Sequence, residues 1–366
     1  MTVHTEILLI AIAVSIACAI PGVFLVLRRM SMMADAITHT VFLGIVLAFF
    51  VTEDLNSPLL LVGATLVGVG TVWLTEMIHN TGLVNEDASI GIIFPLLFSI
   101  AIILVSLYSG NAHLDVDTAL LGEIAFAPFD RWMVNGTDLG PVSLWISLGV
   151  ALINLVLVML FYKELQLSTF DPLLAGLFGF MPAIIHYVLM TMVSLTVVAS
   201  FQAVGAILVI GLMIGPPVIA YLWTDSVKAM LISSIIIGII CAVIGTEAAF
   251  TLDVSIAGAI ATTIGLALLI AVIGTPKTGY IATYRRQRHL RRHYRETMML
   301  CHIYTHMNTP VAAIENGIGT IHEHLNWKPD YTHQAASHLK KQGLLYVTNG
   351  YYMLTDKGVA QVKEII

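Results

Sequence analysis

Asp35 and His39 are two ionisable residues near the start of the apolar run MADAITHTVFLGIVLAFF, residues 33–50. If this run is a helix, their i, i+4 spacing places both side chains on one face, one turn apart. A carboxylate oxygen and an imidazole nitrogen together suit Mn(II), Fe(II) and Zn(II) better than soft copper(I). We therefore predict that the pair binds a divalent metal ion; the alternative is an Asp–His hydrogen bond that only holds the helix in place.

The composition around this pair is that of a polytopic membrane protein. Hydrophobic residues make up 58% of the chain and charged residues 11%, and the mean hydropathy is +0.89. Runs of the roughly 20 apolar residues that a membrane-spanning helix needs predict about nine spans, near 5–27, 33–51, 58–78, 89–108, 143–162, 183–200, 203–222, 229–249 and 255–274. An ionisable residue within such a span is costly unless it faces a cavity or a partner, so Asp35 and His39 are functional candidates.

The basic residues indicate how the spans are oriented. Arg28 and Arg29 follow the first span, Lys163 follows the fifth, Lys228 precedes the eighth, and RRQRHLRRHYR (285–295) follows the last. Positive residues lie mostly on the cytoplasmic side of membrane proteins. The sequence therefore predicts a multi-pass protein of a bacterial cell membrane with its N-terminus outside and its C-terminus in the cytoplasm.

The net charge of −6 hides two opposed parts of the chain. Residues 285–366 carry a net charge of +5, and residues 1–284 carry −11. A negative potential at a narrow mouth concentrates cations, so the acidic part suits a cation pathway. For Glu53, Asp54 and Asp138 the simpler interpretation is a position in a solvated loop.

Five motifs, in this order along the chain, resemble those of the permease subunit of ABC importers for manganese, zinc and iron(II). The resemblance extends from about residue 5 to residue 274. The motifs are RRMSMMADAITHTVFLGIVLAFF (28–50), EDASIGIIFPLLFSIAIILVS (86–106), HLDVDTALLGEI (113–124), YKELQLSTFDPLLAGLFGF (162–180) and VVASFQAVGAILVIGLMIGPPVIAYLWTD (197–225).

The resemblance implies an all-α polytopic fold like that of the vitamin B12 and siderophore importers, the type II importer permease fold. It also implies three kinds of partner: a second permease chain, identical or different, a cytoplasmic ATP-binding subunit, and an extracytoplasmic metal-binding protein. The chain contains no GxxxxGK[ST] phosphate loop. We therefore expect a transport subunit and not an enzyme, with no permanently bound cofactor and a divalent metal ion as its cargo in a lipid membrane.

Three further acidic residues are candidates for the outer part of the pathway. Asp117 and Glu123 follow the fourth span and are expected outside, with Glu123 deeper if 116–124 is a short helix. They either receive the cation or attract the delivering protein by charge. Glu247 ends the eighth span, where it serves an outer gate or simply an interfacial helix end.

The loop 163–182 resembles the coupling helix that inserts into the ATPase subunit of such importers. Asp171 or Thr169 can cap a short helix, and Pro172 suits its first turn. Exposed apolar residues here would have no purpose without a partner. The residues assigned to coupling are Phe170, Asp171, Pro172, Leu174, Ala175 and Gly179.

The segment 202–220 is rich in glycine and contains Pro216 and Pro217. Two adjacent prolines remove two backbone donors and are expected to break or kink the helix. A broken helix inside the membrane must be buried or line a cavity. We predict that this segment lines the pathway without supplying metal ligands.

The composition changes after Pro276, which divides the chain into a permease domain (1–276), a basic linker (277–295) and a small α+β domain (296–366). The last part predicts helix 331–342, strand 344–348, an Asn349–Gly350 turn, strand 351–354 and a helix capped by Thr355. This order resembles the winged-helix domain of metal-dependent and other bacterial repressors.

The tail also contains 8 of the 13 histidines of the chain. Cys301, His302 and His306 are candidates for a regulatory metal site, although surface histidines at this density also occur without a metal. DNA binding is the less favoured role, because a domain held at the membrane cannot search a chromosome freely. Regulation of transport or packing between two tails is favoured instead.

These observations predict the transmembrane subunit of an ATP-driven importer of a divalent transition metal, with manganese first and zinc or iron(II) next. The alternatives are a permease for a metal chelate such as haem or a siderophore, which needs a wide pathway without fixed ligands, and a membrane-anchored, metal-responsive regulator, which would leave the coupling loop unexplained. A secondary transporter would work without an ATPase.

Overall fold

The computed structural model describes residues 2–53, 57–108, 124–134, 137–275 and 279–365. The chain divides into two compact units, Met1–Ile273 and Gly274–Ile366. Within the described residues, nine helices are long and apolar enough to cross a membrane, which agrees with the number predicted.

The described residues of the first unit form helices and one short hairpin. Its spans are α1 (Val3–Leu27), α2 (Ser31–Thr52), α3 (Pro58–His79), α4 (Glu86–Tyr108), α5 (Val142–Leu160), α8 (Pro182–Val204), α9 (Ala206–Trp223), α10 (Val227–Leu252) and α11 (Ile256–Gly274). Two short helices, α6 (Tyr162–Phe170) and α7 (Pro172–Leu177), precede α8. Strands β1 (Arg131–Val134) and β2 (Thr137–Pro141) pair antiparallel before α5.

Helix α1 forms the centre of this unit. It packs against α5, α8, α9 and α10, and it is the most buried of the described spans. Gly22 allows its close contact with α9, because a Cβ atom there would collide with the carbonyl oxygen of Met213. That carbonyl has no intrahelical N–H partner, since the residue four positions later is Pro217. Helix α2 packs beside α3 and α4.

Pro216 and Pro217 were expected to break or kink the helix, and they do not break it. Both prolines are buried inside α9, which continues to Trp223. The interruption instead lies at Gly205, between α8 and α9, with φ 77° and ψ 166°. This backbone region is essentially restricted to glycine. The prolines are accommodated because their fixed φ is helical and only the preceding turn loses its hydrogen bonds.

The second unit contains five helices and a hairpin. They are α12 (Tyr280–His306), α13 (Ala312–Glu315), α14 (Ile321–His324), α15 (Pro329–Lys341), β3 (Leu345–Thr348), β4 (Tyr351–Leu354) and α16 (Asp356–Ile365). Asn349 and Gly350 have positive φ, as a tight hairpin turn requires. The hydroxyl of Thr355 accepts a hydrogen bond from the amide of Gly358 at 3.2 Å and caps α16, as predicted.

The segment 277–295, expected to be a linker, lies mostly in α12, so the boundary expected at residue 296 falls inside a helix. Arginine and leucine favour helices, and no glycine or proline interrupts residues 280–306. The second half of α12 packs its apolar residues Met299, Leu300 and Ile303 into the core of the second unit, together with Leu339 and Leu354.

Candidate functional site

Asp35 and His39 lie one turn apart on α2, as predicted. The Nε2 atom of His39 is 3.6 Å from an Oδ atom of Asp35, and their side chains are 31% and 39% exposed. The neighbouring residues Ala34, Ile37 and Thr38 are buried. The pair therefore faces outward from the packed side of α2, at a surface that one chain leaves open.

Two aromatic rings of α4 flank His39. The imidazole centroid is 5.5 Å from the ring of Phe94 and 5.9 Å from that of Phe98. Apolar walls of this kind limit the access of water and strengthen electrostatic attraction for a cation. Among the described residues, no third His, Cys, Asp or Glu joins the pair in a possible ligand group. The described part of one chain thus supplies two potential ligand groups at this position.

Of the other acidic candidates, only Glu247 lies in the described part of the chain, and it is not brought to this pair. Asp117 and Glu123 lie outside the described residues. Glu247 contacts His4 at 3.3 Å, and the His4 ring lies 4.3 Å from Phe250. His4 is in the first turn of α1, whereas Asp35 follows the other end of that helix. Glu247 therefore joins the ends of α1 and α10 on the side of the unit opposite to the start of α2.

An ion cluster near Glu247's end of the unit was not predicted from the sequence. Glu6, almost fully buried in α1, accepts two hydrogen bonds of 3.2 Å from Arg131. Arg131 also donates to Asp138 at 2.6 Å. Hydrogen bonds from its guanidinium to Glu6 and Asp138 raise the pKa of Arg131. The pairing satisfies a carboxylate that would be costly to bury alone, and it holds the β1–β2 hairpin on α1.

Asp138, expected to be a solvated loop residue, has a structural role on β2. Its second carboxylate oxygen accepts a hydrogen bond from the amide of Gly140 at 2.9 Å. This hydrogen bond is the main cause that lowers the pKa of Asp138, and the hydrogen bond and charge of Arg131 lower it further. Glu53, in contrast, is an exposed residue that ends α2 with φ 50°, and Asp54 lies outside the described residues.

A second polar network, also not predicted, connects the other end of α1 to the coupling loop. Arg28 follows α1 directly and donates from Nε to Thr169 at 3.1 Å and from Nη2 to Ser168 at 2.7 Å. Its Nη1 atom lies 3.2 Å from Nδ1 of His186. Burial lowers the pKa of Arg28, but a guanidinium remains charged at every physiological pH. In the sequence, Arg28 was recognisable only as a basic residue that indicates orientation, and its contacts could not be predicted.

The network continues from α8 to α3. Nε2 of His186 is 2.7 Å from Oε1 of Glu76, and the hydroxyl of Tyr187 donates to Oε2 of the same carboxylate at 2.6 Å. One chain of polar contacts thus links the ends of α1, α3, α6 and α8. A displacement of α6 is expected to reach three spans through these contacts, because charged hydrogen bonds are short and directional.

Helix α7 is a short, capped helix within the segment predicted to contact the ATPase. Asp171 caps it by accepting a 2.9 Å hydrogen bond from the amide of Leu174, and Pro172 occupies its first turn. Ala175 is fully buried and fixes the helix against the unit. Gly179 has φ 84° and ends the segment. Apolar side chains of the segment are largely exposed: Phe170 (62%), Leu173 (84%), Leu177 (84%) and Phe178 (68%), with Leu174 at 38%.

The second unit brings together two of its three predicted metal ligands. His302 and His306 lie on one face of α12 with ring centroids 4.8 Å apart. Cys301 is not part of this group, because it packs against the apolar core of the unit. Glu315 joins the two histidines instead, and Nδ1 of His324 lies 3.0 Å from Oε2 of Glu315; neither residue was predicted from the sequence. They are separated from His302 by 13 and 22 positions, so no local spacing could have indicated them.

The His302 side chain is mostly buried. It is 14% exposed, and burial lowers its pKa, while a hydrogen bond from Nε2 to the carbonyl oxygen of Glu315 at 3.1 Å acts in the opposite direction. This bond fixes the ring relative to α13.

Comparisons with known proteins match this architecture. A sequence profile of the ABC 3 transport family matches residues 2–275. The zinc transport system membrane protein TroD of Treponema pallidum (strain Nichols) is 41% identical over 356 residues, covering 97% of this chain and 96% of that protein. The manganese transport system membrane protein MntD of Bacillus subtilis (strain 168) is 44% identical over 281 residues, 77% of this chain and 95% of that protein.

A solved structure shares the fold. The structure of PsaBC from Streptococcus pneumoniae in complex with Fab superposes with a TM-score of 0.65 and 28% identity, over 78% of this chain and 96% of the matched chain. The predicted all-α importer permease fold is confirmed by this similarity. The match to TroD is long enough to include the second unit as well as the first.

Proposed function

Because the chain belongs to the ABC 3 transport family, we propose that it forms the membrane pathway of an importer for Mn(II) or Zn(II). Family membership confirms the predicted class: the chain is the permease subunit of an ABC transport system, a multi-pass bacterial membrane protein, and not the catalytic subunit. TroD is named for zinc and MntD for manganese, and a single Asp–His pair does not separate these ions, since geometry decides between them.

The single observation that carries the metal assignment is the Asp35–His39 pair. Both groups are partly exposed on the outer face of α2, although the residues around them are buried. A partly exposed carboxylate and imidazole within a span are stable where they face a polar path or a partner. A lipid-facing position would leave both without compensation.

A second permease chain completes this site. One chain provides two ligand groups at an open surface, and two chains related by a twofold axis place four ligands around one ion. The donor set would then be two carboxylates and two imidazoles, which suits both Mn(II) and Zn(II). A different permease with an equivalent Asp–His pair would serve equally.

Helix α7 is the contact for the ATPase partner. Leu173, Leu177 and Phe178 form an apolar surface at the end of a well-capped helix, and such a surface is typical of a docking site. The contacts of Arg28 with Ser168 and Thr169 connect this surface to α1, α3 and α8. The arrangement supports transmission of ATPase movement to the pathway.

The orientation follows from the positions of the basic residues. Arg28, Lys163 and Lys228 lie at the same ends of their spans as α7, whereas the Glu6–Arg131 cluster and Glu247 lie at the opposite end. With α7 in the cytoplasm, the N-terminus is outside.

Transport by the reconstituted system tests this proposal. The chain is placed in proteoliposomes with its ATPase and binding protein, and uptake of radioactive Mn(II) and Zn(II) is measured with and without ATP. We expect ATP-dependent uptake of at least one ion and none of a haem or siderophore chelate. Equal uptake in the absence of the ATPase would contradict the proposal in favour of a secondary transporter.

A further inference from the structure

We propose that the second unit holds a separate binding site for a divalent transition-metal ion, formed by His302, His306, Glu315 and His324. The inference goes beyond the proposed transport function, because this cluster lies in a different unit from the pathway pair. A site for such an ion at the cytoplasmic end of an importer would report the level of the metal that the importer delivers.

The geometry of the cluster is that of a nearly assembled site. One ligand atom from each of His302, His306 and Glu315 lies within 4.8 Å of the other two. The fourth residue, His324, places Nδ1 3.0 Å from Oε2 of Glu315 and stacks its ring on His302 with centroids 6.2 Å apart. Among the described residues this is the only group of three or more such side chains close enough to hold one ion.

The donor chemistry favours zinc and its neighbours in the periodic table. Three imidazoles and one carboxylate form a tetrahedral set of the kind that Zn(II) prefers, whereas Mg(II) and Ca(II) prefer oxygen alone. Zinc bonds of about 2.0–2.1 Å place tetrahedral ligand atoms roughly 3.3 Å apart. The ligand atoms of His302, His306 and Glu315 therefore need to approach one another by at most about 1.5 Å, which rotation of their side chains provides.

The cluster is connected to the hairpin of the same unit. The residue after Glu315 is Asn316, whose side chain donates to the carbonyl oxygen of Ile303 on α12 at 3.3 Å. Its own carbonyl oxygen accepts from the amide of Tyr352 on β4 at 2.9 Å. An ion that draws α12, α13 and α14 together would act directly on the segment that holds β4. Metal occupancy and the position of the hairpin are therefore coupled.

A second histidine pair on α12 provides a matched control. His289 and His293 have the same i, i+4 spacing on the same helix, and both are exposed. Neither belongs to a group of three potential ligands among the described residues. Both places thus have two histidines on one helix. Among the described residues, only His302 and His306 have a carboxylate close enough to form a group that could hold one ion.

Metal binding by the full-length chain in detergent tests the proposal. Zn(II) binding is measured at equilibrium, and Co(II) is used as a spectroscopic probe of tetrahedral coordination. The variants are the double substitution His302→Gln with His306→Gln, the control His289→Gln with His293→Gln, and the milder His324→Gln. All retain Asp35 and His39, so the pathway pair contributes equally to each.

We expect the His302/His306 variant to bind one ion per chain fewer than the wild type and to lose the tetrahedral Co(II) spectrum. The control should bind as the wild type does, and His324→Gln, which removes a half-exposed ring, should weaken binding about tenfold or more. Equal stoichiometry, affinity and spectra for the wild type, the His302/His306 variant and the His324 variant would overturn the site. The measurement involves no transport, so its failure and a failure of uptake are distinguishable.

Discussion

At the scale of single residues, pairs of charged groups in this chain differ in their exposure and therefore in whether they can bind a further ion. Glu6 is buried and fully paired with Arg131, so its role is to hold the hairpin on α1. Asp35 and His39 form an ion pair at 3.6 Å and remain partly exposed. A buried, satisfied carboxylate stabilises the fold, whereas an exposed carboxylate with free lone pairs can accept a cation.

The Asp138 contacts predict a pH-dependent stability of the outer hairpin. The pKa of Asp138 in the folded chain lies below its ordinary value of 3.8. Its stabilising contribution is therefore complete above that value and is lost as the pH falls through the lowered pKa. We expect Asp138→Asn to lower the thermal midpoint of the full-length chain at neutral pH, and the difference from the wild type to disappear at strongly acidic pH.

Asp253→Asn is a suitable control for this measurement, because Asp253 is an exposed carboxylate whose φ of 53° is also acceptable for asparagine. It should leave the midpoint nearly unchanged at both pH values. A difference between Asp138→Asn and the wild type that persists unchanged in acid would show that the carboxylate charge is not what holds the hairpin.

Arg28 and Arg29 allow a second test at this scale, because they are adjacent but differ in their contacts. Arg28 donates to Ser168 and Thr169, whereas Arg29 is exposed. A hydrogen bond to a charged group contributes about 1.5–3 kcal/mol, and each 1.4 kcal/mol corresponds to about a factor of ten. We expect Arg28→Ala to reduce ATP-driven uptake roughly tenfold or more and Arg29→Ala to have little effect. Similar uptake by the two variants would remove the network from the coupling route.

At the scale of elements, the break between α8 and α9 depends on one glycine. Gly205 has a backbone conformation that other residues rarely adopt, so Gly205→Ala should destabilise the chain by about 1–3 kcal/mol. Gly211→Ala, within α9, is the matched control. A Cβ atom at Gly211 would meet only a side-chain carbon of Ile264 on α11, at 3.8 Å. Thermal unfolding in detergent compares them, and equal midpoints would show that Gly205 is not under this constraint.

Because the surface of α7 is exposed, we expect a substitution there to reduce ATP-driven uptake without reducing thermal stability. Leu173 is 84% exposed, so Leu173→Asp leaves the packed unit intact but places a charge in an apolar contact with the ATPase. We expect near-normal thermal stability and a loss of at least about tenfold in ATP-driven uptake. Leu83, 86% exposed in the connection between α3 and α4, gives the control Leu83→Asp, which should transport normally. Normal transport by Leu173→Asp would exclude this surface from the ATPase contact.

Patterns within one helix were predictable from the sequence, and contacts between distant segments were not. The spacing of Asp35 and His39 and the cap of α7 by Asp171 are local, so the chain order alone indicates them. A break or kink was expected at Pro216 and Pro217 because proline is a general helix breaker, but α9 continues through both residues. Gly205 determines the interruption through a φ value that a sequence pattern does not reveal.

The same limit applies to the candidate sites. His302 and His306 share a helix face and could be selected by spacing, but Glu315 and His324 reach them only through the fold of the second unit. Cys301 was selected because it neighbours His302 in sequence, yet successive residues on a helix point about 100° apart and its side chain enters the core.

At the scale of the whole molecule, we propose that both units bind a divalent transition-metal ion, the first unit for transport and the second for retention. In the first unit, the proposed pathway site consists of two ligand groups that a second permease chain would complete, which suits an ion that must be released again. The second unit carries a four-residue cluster within one chain, which suits retention. The family relationship supports the first assignment, and metal binding by the His302/His306 variant decides the second.

The measurement that tests the central claim most directly is ATP-driven uptake of Mn(II) and Zn(II) by the Asp35→Ala and His39→Ala variants, with the ATPase and binding protein present. ATP hydrolysis and thermal stability are recorded in the same preparations. Loss of uptake of at least about tenfold with hydrolysis and stability retained is the predicted result, because each substitution removes a ligand from the pathway. Unchanged uptake in both variants would contradict the account and reduce the pair to a structural contact.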